Sequence, residues 1–156
     1  MVKRVIDSQI TPVLDGSKFV GEIRVEVKLS NAIDEGIARR GGIAESEVRK
    51  IETLALVDTG AVRCCIPVQI AEQLGIGYTG KSVAAYADGR QEIINVTEPI
   101  HFEIAGRSTT EQALVLGDEI LIGQTALETT DLWADCRGQR LVPNPAHPDQ
   151  PVFSIK

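Results

Sequence analysis

The chain of 156 residues has a net charge of −6, with 43% hydrophobic but only 4% aromatic residues. This length predicts a single domain over residues 1–156, and the aliphatic composition favours strands. The acidic balance argues against nucleic acid as a partner, because phosphate binding needs a concentrated excess of Lys and Arg. We expect no membrane partner either, since no segment approaches the apolar length that crosses a bilayer.

The cysteines Cys64, Cys65 and Cys136 are three in number, which does not fit a complete set of internal disulfides. They contain no C-x-x-C pair, so we expect no zinc site. The first ten residues also lack the continuous apolar stretch of a signal peptide. Reduced thiols without such a signal predict a cytoplasmic protein.

Along the chain, the first predicted elements are strands interrupted by one helical excursion. A hairpin turns at Asp15-Gly16, and alternating apolar and charged residues over 22–29 predict a strand with one buried face. The period changes over residues 31–50, which form the excursion and begin with a capped helix. The apolar run that ends at residue 57 predicts a buried strand.

The remaining elements are bounded by glycines, prolines or a change of period. In chain order they are a strand over 61–67, a short helix over 67–74, a hairpin over 81–96 turning at Asp88-Gly89, a hairpin over 99–117 turning at Gly106, an apolar run over 120–122, a helix over 125–129, and an extended, proline-rich C-terminal tail over 143–156. The last five residues of that tail, "VFSIK", are able to add a strand at a sheet edge.

Asp58 follows the buried strand directly, in the sequence Asp-Thr-Gly-Ala. Ionised carboxylates are costly away from water, so Asp58 is either a turn former or a group held for chemistry. Two carboxylates about 3 Å apart share one proton, and the pair can then activate a water and protonate a carbonyl oxygen. In that use Thr59 braces the turn, the N–H of Gly60 bonds the carboxylate, and the small Ala61 leaves room for substrate. This chemistry needs no metal and no cofactor.

Other candidate groups are few. His101 and His147 are each interpreted as surface residues. His101 and Glu103 share one strand face, but no third metal ligand is evident. A Cys–His catalytic pair stays open on spacing alone, although Cys64 and Cys65 have the pattern of core thiols.

The segments "ALVDTGA" (55–61), "AYADGRQ" (85–91) and "ILIG" (120–123) resemble, in order and spacing, the catalytic turn, flap and second apolar-apolar-Gly run of retropepsin-like aspartic proteases. With "RLVPNP" (140–145), the chain is similar to a small bacterial single-domain group of that family. The resemblance implies an all-β fold with short helices, namely a closed acid-protease-like barrel with a ψ-loop and a flap hairpin. It also implies that the chain is half of a two-fold homodimer.

The resemblance also implies the site. The catalytic residues are Asp58, Thr59 and Gly60, and the residues that contact a peptide or protein substrate are Ala61, Tyr86, Ala87, Asp88, Gly89 and Ile122. Because the chain holds one Asp-Thr-Gly, the second carboxylate has to come from Asp58 of another copy. The candidates for that interface are "VKRVI" (2–6) and "VFSIK" (152–156).

Two departures from the family pattern leave alternatives open. Val62 and Gln124 stand where retroviral members carry an acidic residue and an Arg that pair with each other, and the acidic group also binds substrate backbone. The flap has one glycine and two charges where retroviral flaps are glycine-rich. The expected function is an aspartic endopeptidase. The alternatives are a non-catalytic peptide- or protein-binding dimer on the same fold, and a plain β-domain in which Asp58 only forms a turn.

Overall fold

The structure is a computed structural model that describes residues 21–156. The hairpin predicted at Asp15-Gly16 and the interface candidate at residues 2–6 lie outside the described residues. The strands are β1 Ile23–Asn31, β2 Lys50–Val57, β3 Cys65–Ile66, β4 Tyr78–Ala85, β5 Gln91–Thr97, β6 Ile100–Ile104, β7 Arg107–Glu111, β8 Leu114–Val115, β9 Leu121–Ile122, β10 Leu132–Asp135 and β11 Arg140–Pro143. The helices are α1 Ala32–Arg39, α2 Val68–Gln73, α3 Gln124–Thr130 and a 3-10 turn at Glu45–Glu47.

Among residues 21–156, the strands form a nine-stranded sheet in the order β4-β5-β8-β3-β9-β2-β1-β6-β7, and a two-stranded sheet of β10 and β11. The large sheet curls into half of a barrel. The predicted mainly β fold with short helices is therefore confirmed, whereas closure into a full barrel stays a prediction. No helix in this part of the chain has the length and apolarity to span a membrane.

The core of the described residues is largely aliphatic. Ile100, Phe102 and Ile104 alternate along β6 with the more exposed His101 and Glu103, and all three are fully buried. This is the pattern that period-two alternation predicts for a strand with one buried face. The turn after β6 uses positive φ at Ala105 and Gly106, which suits a tight hairpin.

The helical excursion begins and ends as its sequence predicts. The side-chain oxygen of Asn31 accepts a hydrogen bond from the Asp34 amide (3.0 Å), which satisfies one free N–H of the first turn of α1. Gly41 has φ +81°, just past the helix end, where an L side chain would be strained. The Asp34 carboxylate accepts two side-chain bonds from Arg49, at 2.8 and 2.9 Å, and so ties α1 to the start of β2.

One predicted strand is wrong in extent, and one hairpin was not predicted. The strand expected over 61–67 is reduced to Cys65–Ile66, because the carbonyl oxygens of Ala61 and Val62 accept hydrogen bonds from the first amides of α3. The extended tail over 143–156 begins after a hairpin of β10 and β11 that the sequence did not reveal. Within the single chain the last five residues form no strand, so the edge strand expected there is absent.

A polar network fixes the segment that follows β11. The guanidinium of the buried Arg107 donates to the carbonyl oxygens of Thr130 (3.1 Å), Asp131 (2.9 Å) and His147 (2.6 Å). The Asp131 carboxylate accepts from the Asn144 side chain (3.0 Å) and lies 2.6 Å from Nδ1 of His147. His147 is therefore part of a network that anchors the C-terminal segment, rather than the plain surface residue that the sequence suggested.

Candidate active site

Asp58 begins a tight turn at the end of β2. Its amide donates to the carbonyl oxygen of Ile122 (2.9 Å), and its own carbonyl oxygen accepts from the Ala61 amide (3.1 Å). Its Oδ1 accepts from the Gly60 amide (2.9 Å), which is the bond that the Asp-Thr-Gly sequence predicts. The residue is half-buried, so the carboxylate is held by the backbone and still reaches solvent.

The strand β9 lies between β2 and β3. Leu121 pairs with Leu56 in the parallel direction and with Cys65 in the antiparallel direction. The Asp58 turn therefore connects two strands, β2 and β3, that lie on opposite sides of β9. This insertion brings Ile122, 64 positions away in sequence from Asp58, into contact with the turn.

Gly123 sits against the far side of the same turn. A Cβ placed on it would lie 2.6 Å from the carbonyl carbon and oxygen of Arg63, and 2.9 Å from the Ala61 oxygen. These are backbone atoms that cannot swing aside, so only glycine fits. The final glycine of the "ILIG" sequence is therefore required by close packing against the turn.

The start of α3 completes the contact. The amides of Gln124 and Thr125 donate to the carbonyl oxygens of Ala61 (2.8 Å) and Val62 (3.0 Å). The side-chain Nε2 of Gln124 donates to the carbonyl oxygen of Thr59 (2.7 Å). Where the family resemblance suggested only a lost charge partner at Gln124, the structure has a direct contact with the turn, and the Val62 side chain points to solvent.

The hairpin of β4 and β5 ends in a tip stabilised by its own residues. The Tyr86 hydroxyl donates to Glu92 (2.7 Å), and the Arg90 guanidinium lies 4.1 Å from the centre of the Tyr86 ring. The hydrogen bond to Glu92 raises the pKa of the Tyr86 hydroxyl, with smaller contributions from burial and charge. Oδ1 of Asp88 accepts from the Arg90 amide (2.9 Å), and Gly89 has φ +87°. Tyr86 thus braces the tip.

The other residues predicted to contact substrate differ in their exposure to solvent. Ala87, Asp88 and Gly89 are exposed at the tip of the hairpin, and Ala61 is half-buried beside the Asp58 turn. The Ile122 side chain is 0% exposed because it belongs to the hydrophobic core. In the single chain Ile122 contacts the Asp58 turn through its backbone oxygen, and its contact with substrate stays a prediction.

Cys65 is buried in β3, where it pairs with Leu121 of β9 and Leu114 of β8. Burial raises the pKa of its thiol, and the negative charge of Asp58 adds to that effect. The Cys65 thiol in turn makes a minor contribution to the raised pKa of Tyr86.

The two histidines and the buried thiol of Cys64 contact other groups. Burial raises the pKa of the Cys64 thiol to about 12, and the Gly123 amide lies 3.4 Å from its sulfur. His101 Nδ1 lies 3.1 Å from the Thr110 hydroxyl, and His147 belongs to the Asp131 network. These placements disfavour a Cys–His pair. Over residues 21–156, no group of three or more His, Cys, Asp or Glu side chains is arranged to hold a metal ion.

No protein-family model matches this chain, and no curated protein matches it at a significant level.

Proposed function

We propose that the protein is an aspartic endopeptidase that acts as a two-fold homodimer, with one Asp58 from each chain. The observation that carries this proposal is the insertion of β9 between β2 and β3. Because of this insertion, backbone groups of Ile122 and Gln124 hydrogen-bond the Asp58 turn, while the Asp58 carboxylate keeps access to solvent. An Asp that only formed a turn would not need these contacts. The same insertion is what a ψ-loop requires, and it agrees with the resemblance to retropepsin-like proteases.

In the proposed reaction, the two Asp58 carboxyl groups lie about 3 Å apart and hold one proton between them. The ionised group takes a proton from water, and the water oxygen bonds to the carbonyl carbon of the peptide. The protonated group gives its proton to the carbonyl oxygen. The resulting diol then breaks its C–N bond: the nitrogen takes the proton of the protonated carboxyl, one diol hydroxyl gives its proton to the ionised carboxyl, and an acid and an amine leave with the dyad restored.

The dimer is required because one chain supplies one such carboxylate. An isologous interface would place two copies of the same turn face to face. Exposed apolar side chains in the C-terminal segment support its part in that interface, since Val152 and Phe153 are open and Ile155 is 89% exposed. Burial of such apolar side chains against a partner lowers the free energy of the complex.

The hairpin of β4 and β5 is suited to act as the flap. Strand β4 is an edge of the large sheet within residues 21–156, so the hairpin has one free side. The tip residues 86–90 carry their own hydrogen bonds and keep their shape without support from the body of the protein. A self-supporting tip on an open edge can move over a bound peptide as one unit.

One observation is equally compatible with the non-catalytic alternative. Val83 and Ile93 form a directly paired, apolar couple across the hairpin, and they are 58% and 71% exposed. A surface of this kind binds an apolar side chain whether or not the bound chain is cut. A dimer that only holds peptides would use the same hairpin and would tolerate loss of the Asp58 carboxylate.

The test is cleavage of a diverse peptide mixture by the purified full chain, from acidic to neutral pH. We expect Asp58→Asn to lower cleavage by about a hundredfold or more, because the dyad loses its general base. The matched control is Asp118→Asn, which removes an exposed carboxylate from the loop before β9 and leaves the rate unchanged. Sedimentation analysis checks that the wild type and both variants are dimers. A dimeric wild type that cuts nothing at any pH would contradict the proposal and favour the binding alternative.

A further inference from the structure

We infer that Gln124 is a positioning residue for the Asp58 carboxylate and acts through the peptide group between Thr59 and Gly60. The inference rests on the proposed function for its catalytic consequence. Its structural basis is a short series of hydrogen bonds that begins at an exposed side chain and ends at the carboxylate.

The series has two bonds joined by one peptide group. Nε2 of Gln124 donates to the Thr59 carbonyl oxygen at 2.7 Å. The N–H of the same peptide group belongs to Gly60, and it donates to Oδ1 of Asp58 at 2.9 Å. A peptide group is planar and rigid, so a donor that fixes its oxygen also fixes the direction of its N–H.

The two bonds also strengthen each other. A donor at the carbonyl oxygen polarises the peptide group, which makes its N–H a better donor. The Gly60 N–H therefore binds the ionised Asp58 more firmly while Gln124 is in place. The lone pair that the carboxylate offers to a water is then held in one orientation, which is what general-base catalysis needs.

Within residues 21–156, no second side chain shares the position of Gln124 at the turn. Among the described residues, its amide is the one side chain from outside the turn that hydrogen-bonds residues 58–60, since the other bonds to the turn come from backbone groups. Its backbone N–H is bonded separately to Ala61, and its side chain is exposed. A substitution of the side chain thus removes a single donor and leaves the packing of β9 and α3 intact.

Two variants of the full chain test the inference. Gln124→Met keeps the length of the side chain and removes the donor at every pH. Gln124→Glu donates only while its carboxyl is protonated, below about pH 4.3 for an ordinary Glu. The control is Glu128→Met, another exposed position on the same helix. The measurements are kcat and KM for the Asp58-dependent cleavage, and the chemical shift of the Gly60 amide proton by NMR.

We expect Gln124→Met to lower kcat about tenfold with KM unchanged, since a misplaced catalytic group slows chemistry more than binding. The Gly60 amide proton should move upfield in this variant. The Gln124→Glu variant should resemble the wild type below about pH 4 and resemble Gln124→Met at higher pH. Glu128→Met should match the wild type in both measurements.

The two measurements separate this inference from the proposed function. An unchanged Gly60 resonance in Gln124→Met overturns the inference, whatever the activity. A shifted resonance with unchanged kcat overturns its catalytic part. If the wild type shows no Asp58-dependent cleavage, the endopeptidase proposal has failed, and a shifted Gly60 resonance still supports the positioning of Asp58 by Gln124.

Discussion

The two ends of α3 hold two different parts of the chain in different ways. At its start, Gly123 and Gln124 contact the Asp58 turn through neutral amides and close backbone packing. At its other end, Asp131 and Arg107 hold the C-terminal segment through charged groups. One short helix therefore joins the candidate catalytic turn to the segment proposed for the dimer interface.

The contrast shows what each contact can tolerate. Packing and neutral hydrogen bonds at the Asp58 turn keep their strength as the pH falls, as the proposed dyad with its shared proton would require. The network at Asp131 depends on an ionised carboxylate and weakens in acid. The turn and the tail should therefore respond differently to mutation and to pH.

The largest effect is expected at the start of α3. Gly123→Ala places a Cβ against backbone atoms of Arg63 and Ala61, so β9 or the turn has to shift. We expect a loss of about 3 kcal/mol in the free energy of unfolding, at the upper end for overpacking. Urea unfolding measures it. Gly80→Ala is the control, because a Cβ there meets nothing within 4 Å, and it should change stability by less than about 1 kcal/mol. Equal effects at Gly123 and Gly80 would contradict the close packing.

A smaller loss is expected at the other end. Arg107→Met leaves the carbonyl oxygens of Thr130, Asp131 and His147 without their buried donor. We expect a loss of about 2 kcal/mol in the free energy of unfolding, because buried acceptors without a partner are costly. Arg107→Lys should recover only part of it, since one ammonium cannot span three acceptors as a guanidinium does. Complete recovery of stability in Arg107→Lys would show that the three-way geometry of the guanidinium is not needed.

The smallest effect on stability is expected from Asp131→Asn, and unlike the effect of Gly123→Ala it should depend on pH. The hydrogen bond from Asn144, followed by that from His147, lowers the pKa of Asp131. A carboxyl whose pKa is lowered by folding stabilises the protein above its unfolded pKa of about 3.9, and this is lost as the pH falls through the folded value. The difference in stability between wild type and Asp131→Asn should therefore be present at neutral pH and vanish in acid.

The comparison for that measurement is Gly123→Ala, whose effect should not vary with pH, because packing involves no proton. Urea unfolding at several pH values between neutral and about 3 gives both differences. A pH-independent effect of Asp131→Asn would show that the carboxylate charge plays no part in holding the C-terminal segment.

Much of the fold follows from local signals. Asn31 as a helix cap, Gly89 and Gly106 in hairpin turns, and the alternation of Ile100, Phe102 and Ile104 each predict the structure found. These signals work because a cap, a positive φ or a buried strand face depends on residues within a few positions of one another.

Residues 61–64 and Ile122 show where local signals end. The first have the composition of a strand, but the carbonyl oxygens of Ala61 and Val62 accept hydrogen bonds from α3, and the strand β3 begins only at Cys65. Ile122 is predicted as a substrate contact, and in the structure its side chain lies in the hydrophobic core while its backbone oxygen accepts from the Asp58 amide. Neither outcome has a local cause, since both partners lie far away in sequence.

The sequence by itself determined that this is a mainly β protein with short helices and one Asp-Thr-Gly turn after a buried strand. The tertiary structure alone decided what surrounds that turn, including the contact of Gln124 with Thr59 and the network at Asp131. Local patterns specify which faces of an element are apolar. Hydrogen bonds between residues 65 positions apart, as between Thr59 and Gln124, form only after the strands have chosen their neighbours.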